Sequence, residues 1–352
     1  MSLAGRTSMR RWSLLLIAFG VGPFLAGSVP AGAGPAVPNA DPRKGAAGQT
    51  GGPQLVWQYD FGVSGLTLRS RSNPTEGAWM PNDETWQNAT QGYEDFAART
   101  CTVEDVASGV CNMAGGTFDI NPDDPAMKGV SPFAVENGAL TISSFRTPAS
   151  LVSAIMAEIA EQGGKGPAPS FVGGRLTTNP NSFPGFTYGY FEFSVAFPNA
   201  GPGMFPALWF YATPGANTKS GKGRAEIDLL EFLGASDRFE TTVVYAKPGD
   251  AHGEPAGVKV GHWPGFIDGK FHSYGMDWTA DHIDFYFDRR LMYSAPASAV
   301  AWFRGVSLSP VMDYVIDAPW MTSNVNLQAN ASTPDPLKMA VKTVRLYDRK
   351  PF

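Results

Sequence analysis

The amino-acid sequence predicts an all-β protein built as an antiparallel β-sandwich. Gly (40 residues) and Pro (29 residues) together form about a fifth of the 352 residues, above the average of about 12% and below the roughly 25–30% of disordered chains. This surplus is typical of a chain with many turns. Several segments alternate apolar and polar residues with the period of two that half-buried strands show, and no amphipathic helices separate them regularly. Such an order favours a sandwich over an α/β fold.

The first segment along the chain is predicted to be a signal peptide, residues 1–33. Three arginines up to position 11 precede the apolar run 12–26, and Ala31-Gly-Ala33 offers a small-residue cleavage site. The pair Arg10-Arg11 also fits a twin-arginine signal, so the route of export stays open. We therefore expect an exported protein, periplasmic or extracellular.

Residues 34–53 are predicted to form a flexible leader, because Gly, Ala and Pro predominate there and apolar anchors are few. Residues 54–352 contain no second linker of this kind and no internal repeat, so we expect one β-sandwich domain. The clearest strand patterns lie at residues 140–143, 188–197, 282–288 and 341–347. One helix is predicted over residues 149–162, where Leu151, Ile155 and Ile159 recur every fourth residue. We expect this helix to be an addition to the sandwich without chemistry of its own.

The charge of the chain excludes some classes of partner. Without residues 1–33 the chain keeps 24 basic and 32 acidic residues, a formal charge of −8 in place of −5. An acidic protein without a basic aromatic patch is a poor partner for nucleic acids or anionic membranes. No second apolar run approaches the roughly 20 residues of a membrane helix, so we expect no membrane association after signal removal.

The two cysteines, Cys101 and Cys111, lie in a polar region, residues 79–124, whose composition predicts long loops. In an oxidising compartment such an isolated pair is expected to form a disulfide that closes a surface loop. Two free thiols are the alternative. The role of the region stays open.

Familiar motifs of several enzyme classes are absent. The sequence has no Gly-x-Ser-x-Gly elbow, no P-loop and no Cys/His spacing typical of a metal site. The four histidines share no short spacing, which favours local hydrogen bonding over metal ligation. We therefore predict no metal site and no cofactor from these patterns.

Three carboxylates within six residues are the most informative feature: Glu226, Asp228 and Glu231, interleaved with Ile and Leu. In a regular strand Glu226 and Asp228 share a face and Glu231 points to the other. A β-bulge with one extra residue between Asp228 and Glu231 would bring all three to one face. Like charges there are destabilising, but a retaining glycosidase needs two neighbouring carboxyl groups. The alternative is a solvated strand face on which Glu231 points away into a salt bridge, and spacing alone does not decide.

The segment Glu-Ile-Asp-Leu-Leu-Glu at 226–231 resembles the signature of glycoside hydrolase family 16, in the bulged form of laminarinases, agarases and carrageenases; lichenases carry a form one residue shorter. Neighbouring segments resemble the family in the same order, namely residues 173–177, 188–192, 203–209, 271–279 and 283–288. The similarity therefore covers about residues 130–347. The resemblance implies a concanavalin A-like jelly-roll β-sandwich whose concave face binds a sugar chain.

The resemblance also implies roles for individual residues. Glu226 would be the nucleophile, Glu231 the general acid/base, and Asp228 a residue that hydrogen-bonds and tunes the nucleophile. The candidate substrate-binding residues are Trp209, Trp320, Tyr245, Asp317 and His272. Trp209 matches a family tryptophan at the floor of a sugar subsite, with core packing as the alternative. Tyr245 stands where the family commonly has His or Asn. Asp317 stands where the family usually has Asn.

We therefore expect a secreted, monomeric, retaining endo-glycosidase acting on a β-linked polysaccharide, with β-1,3- or β-1,3-1,4-glucan as the first choice. The alternatives are a depolymerase of a bacterial exopolysaccharide, a transglycosylase and, from another class, a non-catalytic carbohydrate-binding module, which would be expected to lack a catalytic carboxylate. Lys342 stands where many members have an Asp that helps to bind structural calcium, which argues against calcium here. The linkage and the number of subsites stay open.

Overall fold

Antiparallel strands dominate the structure. The computed structural model describes residues 51–70, 75–81, 117–161, 168–183, 185–212, 225–232, 234, 239–245, 254–255, 267–316 and 328–352. The strands within these ranges are β1 Leu55–Asp60, β2 Trp79–Pro81, β3 Thr117–Asp119, β4 Phe133–Glu136, β5 Ala139–Arg146, β6 Phe171–Thr178, β7 Gly189–Ala196, β8 Met204–Ala212, β9 Ala225–Phe232, β10 Phe239–Tyr245, β11 Glu254–Pro255, β12 His272–Trp278, β13 Ile283–Phe287, β14 Arg290–Ser294, β15 Leu308–Ile316 and β16 Leu337–Tyr347. The helices are α1 Phe61–Ser64, α2 Val152–Glu161, α3 Ala297–Trp302 and a 3₁₀ turn at Pro125–Met127.

The predicted strands and helix are confirmed. The four clearest strand patterns fall on β5, β7, β13 and β16, and the predicted helix is α2. The helix begins three residues later than the apolar pattern suggests, because Leu151 donates its backbone N–H to the carbonyl of Pro148 in a turn that precedes it. The period of two was therefore a sound guide to the strands of this chain.

The strands form one continuous sheet that folds over into two layers. Its order is β11-β10-β9-β8-β15-β6-β5-β16-β7-β12-β13-β14, with β1 on β16, β2 and β3 on β6, and β4 on β5. The turning point is the short pairing of β5 with β6, which comprises Phe145 with Val172 and Arg146 with Phe171. We call β2, β3, β6, β15, β8, β9, β10 and β11 the front sheet, and β1, β4, β5, β16, β7, β12, β13 and β14 the rear sheet. The predicted antiparallel sandwich is confirmed.

Aromatic side chains between the two sheets form the core. The ring of Phe210, on β8, lies 4.9 Å from that of Phe191 and 5.8 Å from that of Phe193, both on β7. Leu208 and Ile227, on β8 and β9, are buried in the same core. Because side chains alternate along a strand, the residues between these point to the outer face of the front sheet. We call that face the site face.

Helix α2 covers a second, smaller apolar cluster. Its buried residues Ile155 and Ile159, together with Leu151 just before the helix, pack with side chains on or next to β3 and β6, namely Phe118, Ile120, Met127 and Val172. The helix thereby supports the margin of the front sheet and contributes no side chain to the site face.

The predicted signal peptide and nearly all of the predicted leader, residues 1–50, lie outside the described residues, so these domain boundaries stay predictions. Within the ranges that the structure describes, no helix is long and apolar enough to cross a membrane.

Candidate active site

A β-bulge interrupts strand β9 between Asp228 and Glu231. On one side, Leu208 of β8 pairs with Leu230, whereas the next residue of β8, Trp209, pairs with Asp228. The register with β10 on the other side shifts at the same place. Leu229 is therefore the extra residue, and the bulge that the carboxylate spacing required is present.

The bulge places the three carboxylates on one face of the sheet. Their partners on β8 are Tyr211 for Glu226, Trp209 for Asp228 and Ala207 for Glu231. These partners are two residues apart along β8 and so share a face, and directly paired residues lie on the same face of a sheet. The solvated-face alternative, in which Glu231 points away from the other two carboxylates, is therefore wrong.

Three rows of side chains cross the site face at the carboxylates. They are Val244–Glu226–Tyr211, Thr242–Asp228–Trp209 and Glu240–Glu231–Ala207, each read from β10 through β9 to β8. Glu226 is 8% exposed and Asp228 is 4% exposed, whereas Glu231 is partly exposed. Three neighbouring carboxyl groups with so little contact with solvent destabilise the fold. Such an arrangement is expected in an active site and not in a strand with a purely structural role.

Trp209 lies directly beside Asp228 on this face. It is partly exposed, whereas its neighbours along β8, Leu208 and Phe210, are fully buried in the core. The core-packing alternative for Trp209 is therefore excluded. Its ring makes an edge-on contact with Tyr211 at 5.8 Å between centroids, so an indole face is held next to the carboxylates.

A buried ionic cluster that the sequence did not reveal lies on the other side of Trp209. The Nε of Arg175, on β6, donates to Oδ2 of Asp313, on β15, at 3.0 Å, and the guanidinium also lies 3.4 Å from Asp119 of β3. Burial raises the pKa of Asp313 to about 6 although Arg175 acts against it, and burial likewise raises the pKa of Asp119. No spacing pattern could have revealed this cluster, because Arg175 and Asp313 are 138 residues apart in sequence.

Comparison with known proteins places this site in a family. The sequence model of Glycosyl hydrolases family 16 matches residues 149–304, a range that includes β8, β9 with its bulge, and β10. This part of the chain matches glycoside hydrolase family 16. The family predicted from the resemblance is confirmed.

Two curated relatives are endo-1,3-1,4-beta-glycanases of Rhizobium meliloti (strain 1021), ExsH at 34% and EglC at 32% identity over 170 residues. The match covers 48% of this chain but only 31% of either relative. A kappa-carrageenase from Pseudoalteromonas carrageenovora is 27% identical over 176 residues, 46% of this chain and 43% of that protein. The chain therefore spans less than half the length of the curated relatives it matches.

Two solved glucanase structures share the fold of this chain. The laminarinase catalytic domain from Thermotoga maritima MSB8 superposes with a TM-score of 0.54 at 18% identity, covering 84% of this chain and 98% of that one. The endo-beta-1,3-glucanase from Pyrococcus furiosus gives the same TM-score at 18% identity, covering 85% and 95%. The expected jelly-roll sandwich is thereby confirmed.

Tyr245 does not join the family 16 site as the sequence suggested. It pairs with Ala225, a core residue, so its side chain lies on the face of β10 opposite to the carboxylates. There it stacks on Trp302 of α3 at 5.1 Å. The residue of β10 on the site face beside Glu226 is Val244. The expectation of a substrate contact from Tyr245 is corrected: a shift of one residue along a strand exchanges its faces.

His272 lies on β12 of the rear sheet, away from the site face. Its Nδ1 is 2.8 Å from a carboxylate oxygen of Asp288 and its Nε2 is 3.2 Å from one of Asp268. Both ring nitrogens are thus engaged in local hydrogen bonds, and the structure does not bring His272 to the carboxylates of β9. The expectation of a substrate contact is corrected in favour of local hydrogen bonding.

Four further predicted residues lie outside the described residues: Trp320, Asp317, Cys101 and Cys111. The two substrate contacts and the disulfide therefore stay predictions. Lys342 is described, exposed on β16 with its ammonium 6.0 Å from the ring of Phe271. Among the described residues, no three His, Cys, Asp or Glu side chains are grouped as metal ligands would be.

Proposed function

We propose that this chain hydrolyses internal β-glycosidic bonds of a neutral glucan, β-1,3- or β-1,3-1,4-linked, with retention of the anomeric configuration. The observation that carries the proposal is the bulge at Leu229, which sets Glu226, Asp228 and Glu231 on one face of β9. The relatives named endo-1,3-1,4-beta-glycanases support the choice of substrate class.

In the proposed reaction, the carboxylate of Glu226 attacks the anomeric carbon and forms a covalent glycosyl-enzyme, while the carboxylic acid of Glu231 protonates the departing glycosidic oxygen. Glu231, now ionised, then removes a proton from water, which attacks the anomeric carbon and releases Glu226. Two inversions at the same carbon give net retention.

The proposed roles require the side chains of Glu226 and Glu231 to converge above the strand. Glu226 and Glu231 pair with residues four positions apart on β8, which is about 13 Å along a strand. A retaining enzyme holds the two carboxyl groups about 5–5.5 Å apart, so both side chains are expected to lean towards Asp228 between them. Asp228 is then close enough to the nucleophile to hydrogen-bond it and to influence its protonation.

The charge of the site face favours a neutral substrate. The side chains that β3, β6, β8, β9, β10 and β15 place on it include one guanidinium, Arg175, and six carboxyl groups: Glu226, Asp228, Glu231, Glu240, Asp313 and Asp119. Arg175 is already paired with two of them. A sulfated or carboxylated polymer would be repelled here, which favours a glucan over an acidic exopolysaccharide.

The roles of the two glutamates can be tested with Ala variants and azide. In E226A, azide enters the vacated space and attacks the anomeric carbon, so an activated glycoside should yield a glycosyl azide of inverted configuration. In E231A, azide attacks the normal glycosyl-enzyme, so the azide product should retain the configuration. E136Q, on exposed β4, is the control and should cleave laminarin and lichenan as the wild type does. Unchanged cleavage by both Ala variants would overturn the roles assigned to Glu226 and Glu231, whereas a wild type that binds but does not cleave polysaccharide would favour the carbohydrate-binding alternative.

Transglycosylation is the remaining alternative within this chemistry, because a sugar hydroxyl replaces water in the second step. Product analysis with an added acceptor oligosaccharide separates the two outcomes. Longer products at the expense of reducing ends would overturn hydrolysis as the main reaction.

We also propose that the enzyme is exported by residues 1–33 and acts as a monomer. The arginines and the apolar run of that segment support export. N-terminal sequencing of the exported protein should begin near residue 34, and light scattering should give the mass of one chain.

A further inference from the structure

The carboxyl group of Asp313 is buried beside Trp209 with its two oxygens in different environments. Asp313 is 4% exposed. Its Oδ2 accepts a hydrogen bond from Nε of Arg175 at 3.0 Å, and the Trp209 side chain lies close enough to lower the pKa of the carboxyl, against the effect of burial. Its Oδ1 is buried without a hydrogen-bond partner. A buried carboxyl oxygen without a hydrogen-bond partner lowers the free energy of unfolding. We therefore expect Asp313 to have a function beside Trp209 that compensates for this loss of stability.

Trp209 is held from three directions. The guanidinium carbon of Arg175 lies 5.9 Å from the indole centroid, within the range of a cation–π contact. Tyr211 meets the ring edge-on, and Asp313 lies close enough to the indole for Trp209 to lower the pKa of its carboxyl. Asp119 pairs with Arg175 at 3.4 Å and so holds the guanidinium in place.

We propose that Asp313 is a positioning residue: by accepting the indole hydrogen and anchoring Arg175, it fixes Trp209 as the aromatic platform of the sugar subsite beside Asp228. This inference rests on the proposed function. Trp209 is the direct cross-strand partner of Asp228, so a rotated indole would displace the sugar ring next to the reacting carbon.

The positioning should depend on pH. Burial raises the pKa of Asp313 to about 6, with Arg175 lowering it and Asp119 raising it. These are the charged groups that β6 and β3 turn towards it, whereas β8 contributes only Ala207 and Trp209. Below about pH 6 the protonated carboxyl is a weaker acceptor, so the hold on the indole should loosen as the pH falls.

The first experiment reads Trp209 without substrate. The emission of Trp209, taken as the difference between the wild type and W209F, should change with a midpoint near pH 6. D313N keeps an acceptor but cannot titrate, so the change should vanish. D119N removes a charge that raises the pKa of Asp313, so the midpoint should fall. A midpoint that is the same in the wild type, D313N and D119N overturns the inference, whether or not the protein cleaves glucan.

The second experiment measures kinetics on laminarin at pH 7. D313A should raise KM roughly tenfold, the effect of one lost hydrogen bond and its anchored cation, with a smaller change in kcat. D313N should restore KM towards the wild-type value. In a W209A background D313A should have no further effect on KM, because Asp313 acts through the indole.

The outcomes separate the two ideas. A wild type that cleaves no polysaccharide overturns the proposed function, and the emission experiment still decides the inference. The inference is overturned if D313A leaves KM at the wild-type value. It is also overturned if D313A raises KM in the W209A background as much as it does in the wild type. Both results leave the proposed function in place. Thermal unfolding of each variant identifies any that fail to fold, and D313N then carries the comparison.

Discussion

The bulge in β9 can be tested by changing its length by one residue in either direction. Deleting Leu229 leaves Glu226 and Glu231 four positions apart, which in a regular strand is the same face. Inserting one Ala after Leu229 adds a second extra residue, which the bulge cannot absorb without turning Glu231 to the core face. The two changes are equal in size and opposite in their expected effect on the site.

The magnitudes follow from burial and from the role of Glu231. Leu229 is 1% exposed, so its deletion forfeits about 1.5–3 kcal/mol of burial, partly offset by a regular ladder. The insertion instead drives a carboxyl group into apolar surroundings, which costs several kcal/mol or forces it to stay protonated. It also removes general acid/base catalysis, about 10²–10⁴-fold in rate.

The assay is the release of reducing ends from laminarin by each variant, with and without E231A. In the deletion background E231A should still cost about 10²–10⁴-fold, because Glu231 keeps its place. In the insertion background E231A should cost nothing further. The reasoning is refuted if a folded deletion variant is indifferent to E231A, or if the insertion variant still depends on Glu231.

Two further predictions concern the rear sheet. Burial lowers the pKa of His272, but hydrogen bonds to Asp288 and Asp268 outweigh it and raise the pKa above 6.5. The protonated imidazole therefore stabilises the fold fully below pH 6.5, and this stabilisation is lost as the pH rises through the raised pKa. NMR titration should show this midpoint falling in D288N; a wild-type midpoint at or below 6.5 contradicts it. In G275A the new Cβ would overlap the hydroxyl of buried Tyr190, so urea unfolding should show a loss of about 1–3 kcal/mol, and an unchanged midpoint would disprove the clash.

Much of the site was visible in the sequence because it lies within one strand. The interval between Asp228 and Glu231 required an extra residue if the carboxylates were to share a face, and the register shows that residue as Leu229. Trp209 was predicted from resemblance alone, and its place beside Asp228 depends on how β8 pairs with β9. The prediction for Tyr245 was wrong by one residue, because the pairing of β10 with β9 places Val244 beside Glu226 and turns Tyr245 to the opposite face.

By itself the sequence determined the all-β class, the strand periods, helix α2 and the three carboxylates, because each depends on residues near one another in the chain. Only the tertiary structure decided which side chains lie next to the three carboxylates. The cluster of Arg175, Asp119 and Asp313 forms through pairings between distant strands, and burial among those strands raises the pKa of both acids. A period of two specifies which side chains share a face of a strand, whereas cross-strand register specifies which of them meet.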